Sequence, residues 1–217
     1  MEKYWQIEKI NLKYHVPLHI LVCVLLLVVS PLLMGVANLS AEDTAKVLER
    51  YAALTGIVMI TPVFLPEQDK SLRELVCAKY VDSAKVYLVR FLGNVLLLAF
   101  LLGIYIYMLR LNQCTFPAVR YFLGTLAEML FLGAVGLSFY ALADNLVAGY
   151  MAAMVYYITA VGSGDKLLKL FYPFSMSAGS YVEKYCLFAG AAALTAAGMF
   201  LRCRRKVTVH GLTSREL

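Results

Sequence analysis

Long apolar runs alternate along the chain with short polar segments. Six runs stand out, at about 16–39, 51–65, 87–109, 121–143, 146–162 and 185–201. A helix needs about 20 apolar residues to cross a bilayer, so the pattern predicts six transmembrane helices. The first run carries no charge. It is too long for the apolar region of a signal peptide, about 7–15 residues, and is expected to stay as a span. The second is short and ends at Thr61-Pro62 and Pro66, which stop or bend a helix. The third has one charge, Arg90, near its start, where a long stem can reach the interface. Asp144-Asn145 is the turn between the fourth and fifth runs. The sixth stops at Arg202, Arg204, Arg205 and Lys206.

Two polar segments carry a helical pattern. Within residues 1–15, Tyr4, Ile7, Ile10 and Tyr14 recur at helical spacing, as in a helix lying in the membrane interface, although Trp5 and Leu12 fall off the stripe. A frayed polar head is the other reading. The segment 66–86 follows the second run. In it, Ser71 and Glu74 have the spacing of a capping box, and Leu72, Leu75, Val76 and Tyr80 share one face. Asp82-Ser83 look like the cap of the next helix. A short, capped, amphipathic helix fixed to two spans suits docking a soluble partner. A connector without a partner fits the same pattern.

Composition sharpens the class. Of 217 residues, 61% are hydrophobic and 16% charged, with mean hydropathy +0.72. Soluble domains run nearer roughly 45–50% apolar and about 25% charged. Six spans take about 120 residues and leave about 100, so an energy-coupling domain is expected on another chain.

The net charge of +6 is an orientation signal. With a cytoplasmic N-terminus, 13 of the 20 lysines and arginines fall in inside segments and 7 in outside segments. The positive-inside rule then puts both termini in the cytoplasm. The basic residues flank spans and form no stripe, so nucleic acid is not an expected partner. The fold class is therefore an all-α integral membrane protein. Segment 163–184 is its outer loop and 202–217 its cytoplasmic tail.

The short second run is followed by a Glu-x-x-x-Ser-x-x-Glu-Leu pattern (Glu67, Ser71, Glu74, Leu75), then Lys79, Ser83, Tyr87 and Arg90. With the six-span layout and interfacial head, this resembles the permease subunits of type-2 ATP-binding-cassette transporters. The resemblance covers nearly the whole chain in layout, and its sequence motif is loose. It implies two permeases, identical or related, side by side above cytoplasmic ATPases that bind ATP and magnesium. Glu67, Asp69, Arg73 and Glu74 would then face the ATPase, with Leu72 and Leu75 packed on the membrane side. Outer-loop residues 162–180, interrupted by Tyr172-Pro173-Phe174, would match the family's re-entrant outer helices. The implied function is export of a hydrophobic or amphipathic substrate, such as an antimicrobial peptide, lipid or drug, across the bacterial plasma membrane. The second span is shorter than the family pattern. The alternative is an ATPase-independent small membrane protein for peptide immunity or scaffolding. No cofactor is expected on this chain, which has no phosphate-binding loop: Gly162-Ser163-Gly164-Asp165-Lys166 lacks the Gly-x-x-x-x-Gly-Lys spacing.

Candidate chemistry is sparse. Glu128 is the one acid well inside a predicted span, and such a carboxylate is a functional candidate by default. It suits a cationic substrate or a proton, or a structural pair with Arg120 or a partner subunit. Tyr105, Tyr107, Tyr156 and Tyr157 lie deep enough to line a substrate path. His15 and His19 have a helical metal-ligand spacing with no third ligand nearby, so no metal is expected. Cys114 and Cys186 both lie near the predicted outer face, which leaves a disulfide open. The spans offer only Glu128 and Asp144 as acids, about 24 Å apart by helical rise, an arrangement that speaks against an enzyme. Gly133 and Gly136, and Ala189, Gly190, Ala193, Ala197 and Gly198, form small-residue faces for close helix packing.

Overall fold

The computed structural model describes residues 9, 11–13, 16–35, 38–67 and 83–213. The described chain is all-helical. Its main helices are α1 (Val16–Met34), α2 (Ala41–Pro66), α3 (Ser83–Leu111), α4 (Ala118–Ala143), α5 (Leu146–Ser163) and α6 (Val182–Thr213). Five contain stretches long and apolar enough to cross a membrane: α1, α2, α3, α4 and residues Val182–Arg204 of α6. The apolar part of α5, Leu146–Gly162, is shorter. These are the helices of a multi-pass membrane protein.

The second helix begins at Ala41, ten residues before the predicted start. Ser40 caps it: its hydroxyl accepts from the Asp43 N–H (3.2 Å) and donates to Asp43 Oδ2 (2.7 Å). Lys46 then pairs with Glu42 (2.8 Å) and Asp43 (3.2 Å) one turn back. Lys46, Glu49 and Arg50, expected in an outer loop, are thus helical. Their charges had masked a helix whose other face is apolar and small.

α2 is not uniform. Residues Leu48–Ala52 form a π-helical turn, and Thr61–Glu67 tighten into a 3-10 helix containing Pro62 and Pro66. Pro62 has no N–H to offer the carbonyl four residues earlier. The Tyr150 hydroxyl of α5 donates to that Val58 carbonyl (3.4 Å), and Asn94 Nδ2 of α3 donates to the neighbouring Met59 carbonyl (2.9 Å). Backbone groups in lipid must be satisfied within the protein, and here two neighbouring helices supply the donors.

Residue pairs across the helices give their directions. Gly56 lies against Met129 and Ile60 against Gly133, so α2 and α4 run parallel. Glu128 pairs with Lys184, the Ser138 hydroxyl donates to the Leu194 carbonyl (2.9 Å), and Asp144 pairs with Arg202. α4 and α6 are therefore parallel too. α5 runs back between them: Gly149 meets Gly136, while Tyr156 stacks edge-on to Phe131. α1 is antiparallel to α2, with Cys23 opposite Thr55, and so is α3, with Tyr87 against Phe64 and Asn94 against Met59. Directions alternate from α1 to α6. The start of α1, the Pro66 end of α2, the start of α3, the Asp144 end of α4 and Arg202 all share one end of the bundle.

α2 and α4 form the buried pair. In their apolar stretches 78% and 72% of residues are enclosed, against 22%, 33% and 28% in α1, α3 and α6. Lipid is as apolar as leucine, so helices in a bilayer associate through close packing. Glycine permits that approach at the α2–α4–α5 seam. A Cβ on Gly133 would lie 2.5 Å from the Ile60 Cβ and 2.7 Å from the Gly56 carbonyl oxygen, and one on Gly149 would lie 2.6 Å from the Gly136 oxygen. Gly190 and Gly198 of α6 similarly admit Phe131 and Leu137 of α4.

Candidate functional site

Three ionisable side chains from three helices meet at the end of the bundle opposite Asp144. Glu49 comes from the π-helical turn of α2, Glu128 from α4 and Lys184 from the first turn of α6. All are buried, at 1%, 0% and 5% exposure. The widened turn places Glu49 on the same buried face as Ala45, Ala52 and Ala53. π-Turns occur often at functional sites, because they re-aim a side chain within an otherwise regular helix.

Lys184 is the hub. Its Nζ donates to Glu49 Oε1 (2.9 Å), to Glu128 Oε1 and to the Pro173 carbonyl. An ammonium has three N–H bonds, and all three are engaged. Glu49 is equally well served. Its Oε1 also accepts the Met176 N–H (2.6 Å), and its Oε2 accepts the Ser177 N–H (3.2 Å). Glu49 thus fastens the loop between α5 and α6 onto the bundle. Glu128 differs: Oε1 faces Lys184, while Oε2 is buried with no hydrogen-bond partner. Thr125, one helical turn earlier, also has a buried hydroxyl without a partner.

That loop is compact. Two single helical turns, Asp165–Leu168 and Lys169–Phe171, lead into turns in which the Ala178 and Ser180 N–H groups donate to the Ser175 carbonyl. The Ser180 hydroxyl donates to Glu183 Oε2 (2.5 Å) at the start of α6. Beside Lys184, a groove of about 510 Å³ opens between α4 and α6. Arg120, Leu123, Gly124, Ala127, Tyr181, Tyr185 and Phe188 are among the residues that line it.

A second ion pair, half enclosed, closes the opposite end. The fully buried Arg202 pairs with Asp144, and its guanidinium lies 5.7 Å and 5.8 Å from the Phe64 and Tyr140 ring centres. Asp144 ends α4 in the left-handed conformation (φ 53°), and the Asn145 side chain accepts from the Val147 N–H to start α5.

The anticipated site residues fare differently. Glu128 is buried in the bundle, but its partner is Lys184. Arg120, the partner first considered, lies instead over the Tyr181 ring at 5.1 Å. Its position near the end of α4 lets the guanidinium reach the exposed groove, whereas the Lys184 stem points inward. The acids of the spans are not Glu128 and Asp144 alone, because Glu49 joins Glu128 in one cluster. Tyr105 shares a 2.5 Å hydrogen bond with Ser30 and ties α3 to α1. Tyr156 donates to the Phe171 carbonyl (2.7 Å) and Tyr157 to the Arg50 carbonyl (2.7 Å). Tyr107 is exposed on α3. The tyrosine hydroxyls of 105, 156 and 157 are each committed to a different contact. Asp69, Leu72, Arg73, Glu74 and Leu75 lie outside the described residues, as does the Glu67 side chain. Cys114 and Cys186 are not joined in a disulfide. No cluster of three or more metal-ligating side chains occurs among the described residues.

Sequence reasoning missed Glu49 and Lys184. The signal for Glu49 was the Ser40-x-x-Asp43 capping spacing, which starts the helix early enough to carry Glu49 inward. Lys184 had no such signal, since a lysine beside a span end ordinarily reaches for the interface. Comparison with protein-family models, with curated proteins and with solved structures finds no match to this chain.

Proposed function

We propose that this chain is the permease subunit of an ATP-driven exporter of the type-2 ATP-binding-cassette kind. It forms half of a paired membrane unit and moves a hydrophobic or amphipathic substrate outward. A separate cytoplasmic chain hydrolyses ATP with magnesium. In this reading α5 is a sixth span and both termini are cytoplasmic. The alternating helix directions support it. α4 and α6 are parallel, so the chain must return between them, and the 18 residues of α5 rise about 27 Å on the way.

One observation carries the reading: α2 ends and α3 begins, with the polar sequence 68–82 between them, at the end of the bundle that also holds the start of α1 and the basic run after Arg202. The positive-inside rule makes that end cytoplasmic. A soluble ATPase would there meet the charged sequence 68–82, which connects the buried α2 to the more exposed α3.

Purification in mild detergent tests the proposal. The native chain is expected to carry with it an ATPase bearing a phosphate-binding loop, and substrate is expected to stimulate that ATPase. The double change Arg73→Glu and Glu74→Lys should abolish the association and leave the melting of the bundle unaltered. A charge-reversed chain that functions like the native one would overturn the proposal.

A further inference from the structure

We propose that Glu128 Oε2 is a proton-binding site, so that the Glu49–Lys184–Glu128 cluster holds one exchangeable proton beyond those of the lysine. The inference stands on the bundle alone and not on the exporter reading.

The charge count comes first. Two carboxylates against one ammonium leave one net negative charge in a site where none of the three residues is more than 5% exposed. An uncompensated buried charge is strongly unfavourable, and a group so placed neutralises by taking or losing a proton. The hydrogen bonds then say which group takes it. Lys184 uses all three ammonium hydrogens, so a neutral amine would abandon an acceptor. Glu49 receives three donors spread over both oxygens, so a proton on either oxygen would have to displace one of them. Glu128 receives one donor, at Oε1, and its buried Oε2 has none.

A proton on Oε2 turns that unsatisfied acceptor into a donor. Thr125, three residues earlier on α4, offers a buried hydroxyl oxygen that also lacks a partner. Residues three apart on a helix are neighbours on one face, so a change of rotamer at Thr125 would bring that oxygen to the new O–H. One proton thus cancels the net charge. The step is a simple protonation of a carboxylate.

Among the described residues, the other charged and titratable groups around the cluster do not supply the missing charge. From α2, Arg50 is exposed, and its backbone carbonyl accepts the Tyr157 hydroxyl of α5. From α6, Glu183 adds a further negative charge and is bonded to Ser180. On α4 itself, Arg120 is exposed and lies over Tyr181, and the Tyr121 hydroxyl donates to the Ala41 carbonyl (3.0 Å). The groove beside Lys184 is also lined by Ala127, the residue before Glu128. Because Lys184 also holds Pro173, and Glu49 holds Met176 and Ser177, the proton's departure is coupled to the seating of the α5–α6 loop.

Infrared difference spectroscopy on the full chain in phosphatidylcholine vesicles tests the site. The native chain should show a protonated-carboxyl C=O band at neutral pH that shifts in deuterium oxide. The band should vanish in Glu128→Gln, persist in Glu49→Gln and move in Thr125→Val. Gln mimics the protonated acid, so Glu128→Gln should melt with the native chain while Glu49→Gln melts lower. No such band in the native chain, or a band that survives Glu128→Gln, overturns the proposal. So does a Glu128→Gln chain that fails to fold, or melting that follows sodium at constant pH, which would assign the charge balance to a metal cation.

Discussion

Lys184→Met is the most revealing single change. Methionine keeps the length and bulk of the stem but removes the ammonium. Glu49 then loses its counter-charge and one of three donors, keeping only the Met176 and Ser177 N–H groups. The Pro173 carbonyl loses its lysine donor as well. Breaking a buried ion pair by removing one partner costs about 3–5 kcal/mol. At about 2–4 °C per kcal/mol for a chain of this size, the melting temperature should fall by roughly 6–20 °C. The assay is thermal unfolding in a mild detergent of the native chain, Lys184→Met, Glu49→Gln and the double variant. Both singles should be strongly destabilised, and the double should cost about as much as one of them, because the second change removes the charge that the first left stranded. A Lys184→Met chain melting within about 2 °C of native, or losses that simply add, would refute the account of Lys184 as the shared counter-ion.

Packing and backbone satisfaction give further tests, each read by the same unfolding assay. Gly133→Ala should cost about 1–3 kcal/mol, because its Cβ meets Ile60 and the Gly56 carbonyl, whereas Gly103→Ala, with nothing within 4 Å, should be neutral or gain up to about 1 kcal/mol. Asn94→Leu should cost about 1–3 kcal/mol by stranding the Met59 carbonyl beside the Pro62 kink; an unchanged chain would mean that another donor serves it. Ser40→Ala should cost about 1 kcal/mol through loss of the α2 cap, with the first turn of α2 exchanging its amide hydrogens faster.

The apolar runs made the helices legible because a membrane span writes its length directly into sequence. Runs 121–143 and 146–162 lie within a residue or a few of α4 and α5, where the lone carboxylate Glu128 is too little to interrupt the apolar pattern. The second run failed at its start for a physical reason. Charge ordinarily marks water, but in α2 the charges at Lys46 and Arg50 face outward while Glu49 turns inward at a π-turn that no periodicity announces. The candidate site was half legible. Glu128 stood out because nothing near it in sequence is polar enough to excuse it. Its partners sit 79 residues before and 56 residues after it, distances that only the fold closes.

Where the bundle can move follows from how its helices are tied. α6 is pinned to α4 at three heights, by Lys184–Glu128, Ser138–Leu194 and Arg202–Asp144. α2 and α5 meet α4 through glycines that bring the backbones together. α3 is held differently: Asn94 bonds the Met59 carbonyl of α2, and Tyr105 bonds Ser30 of α1, itself an outlying helix. If a cytoplasmic ATPase acts on segment 68–82, its motion reaches the buried α2 and the more exposed α3 at the same end. The compliant seam is then between α3 with α1 and the α2–α4–α5–α6 body. Paired cysteines test this within the exporter reading. A cross-link between Met59→Cys and Asn94→Cys should stop substrate-stimulated ATP hydrolysis, and reduction should restore it. A cross-link between Ser138→Cys and Leu194→Cys should leave hydrolysis intact. The opposite pattern would place the moving seam between α4 and α6, and the three ties there would have to break in every cycle.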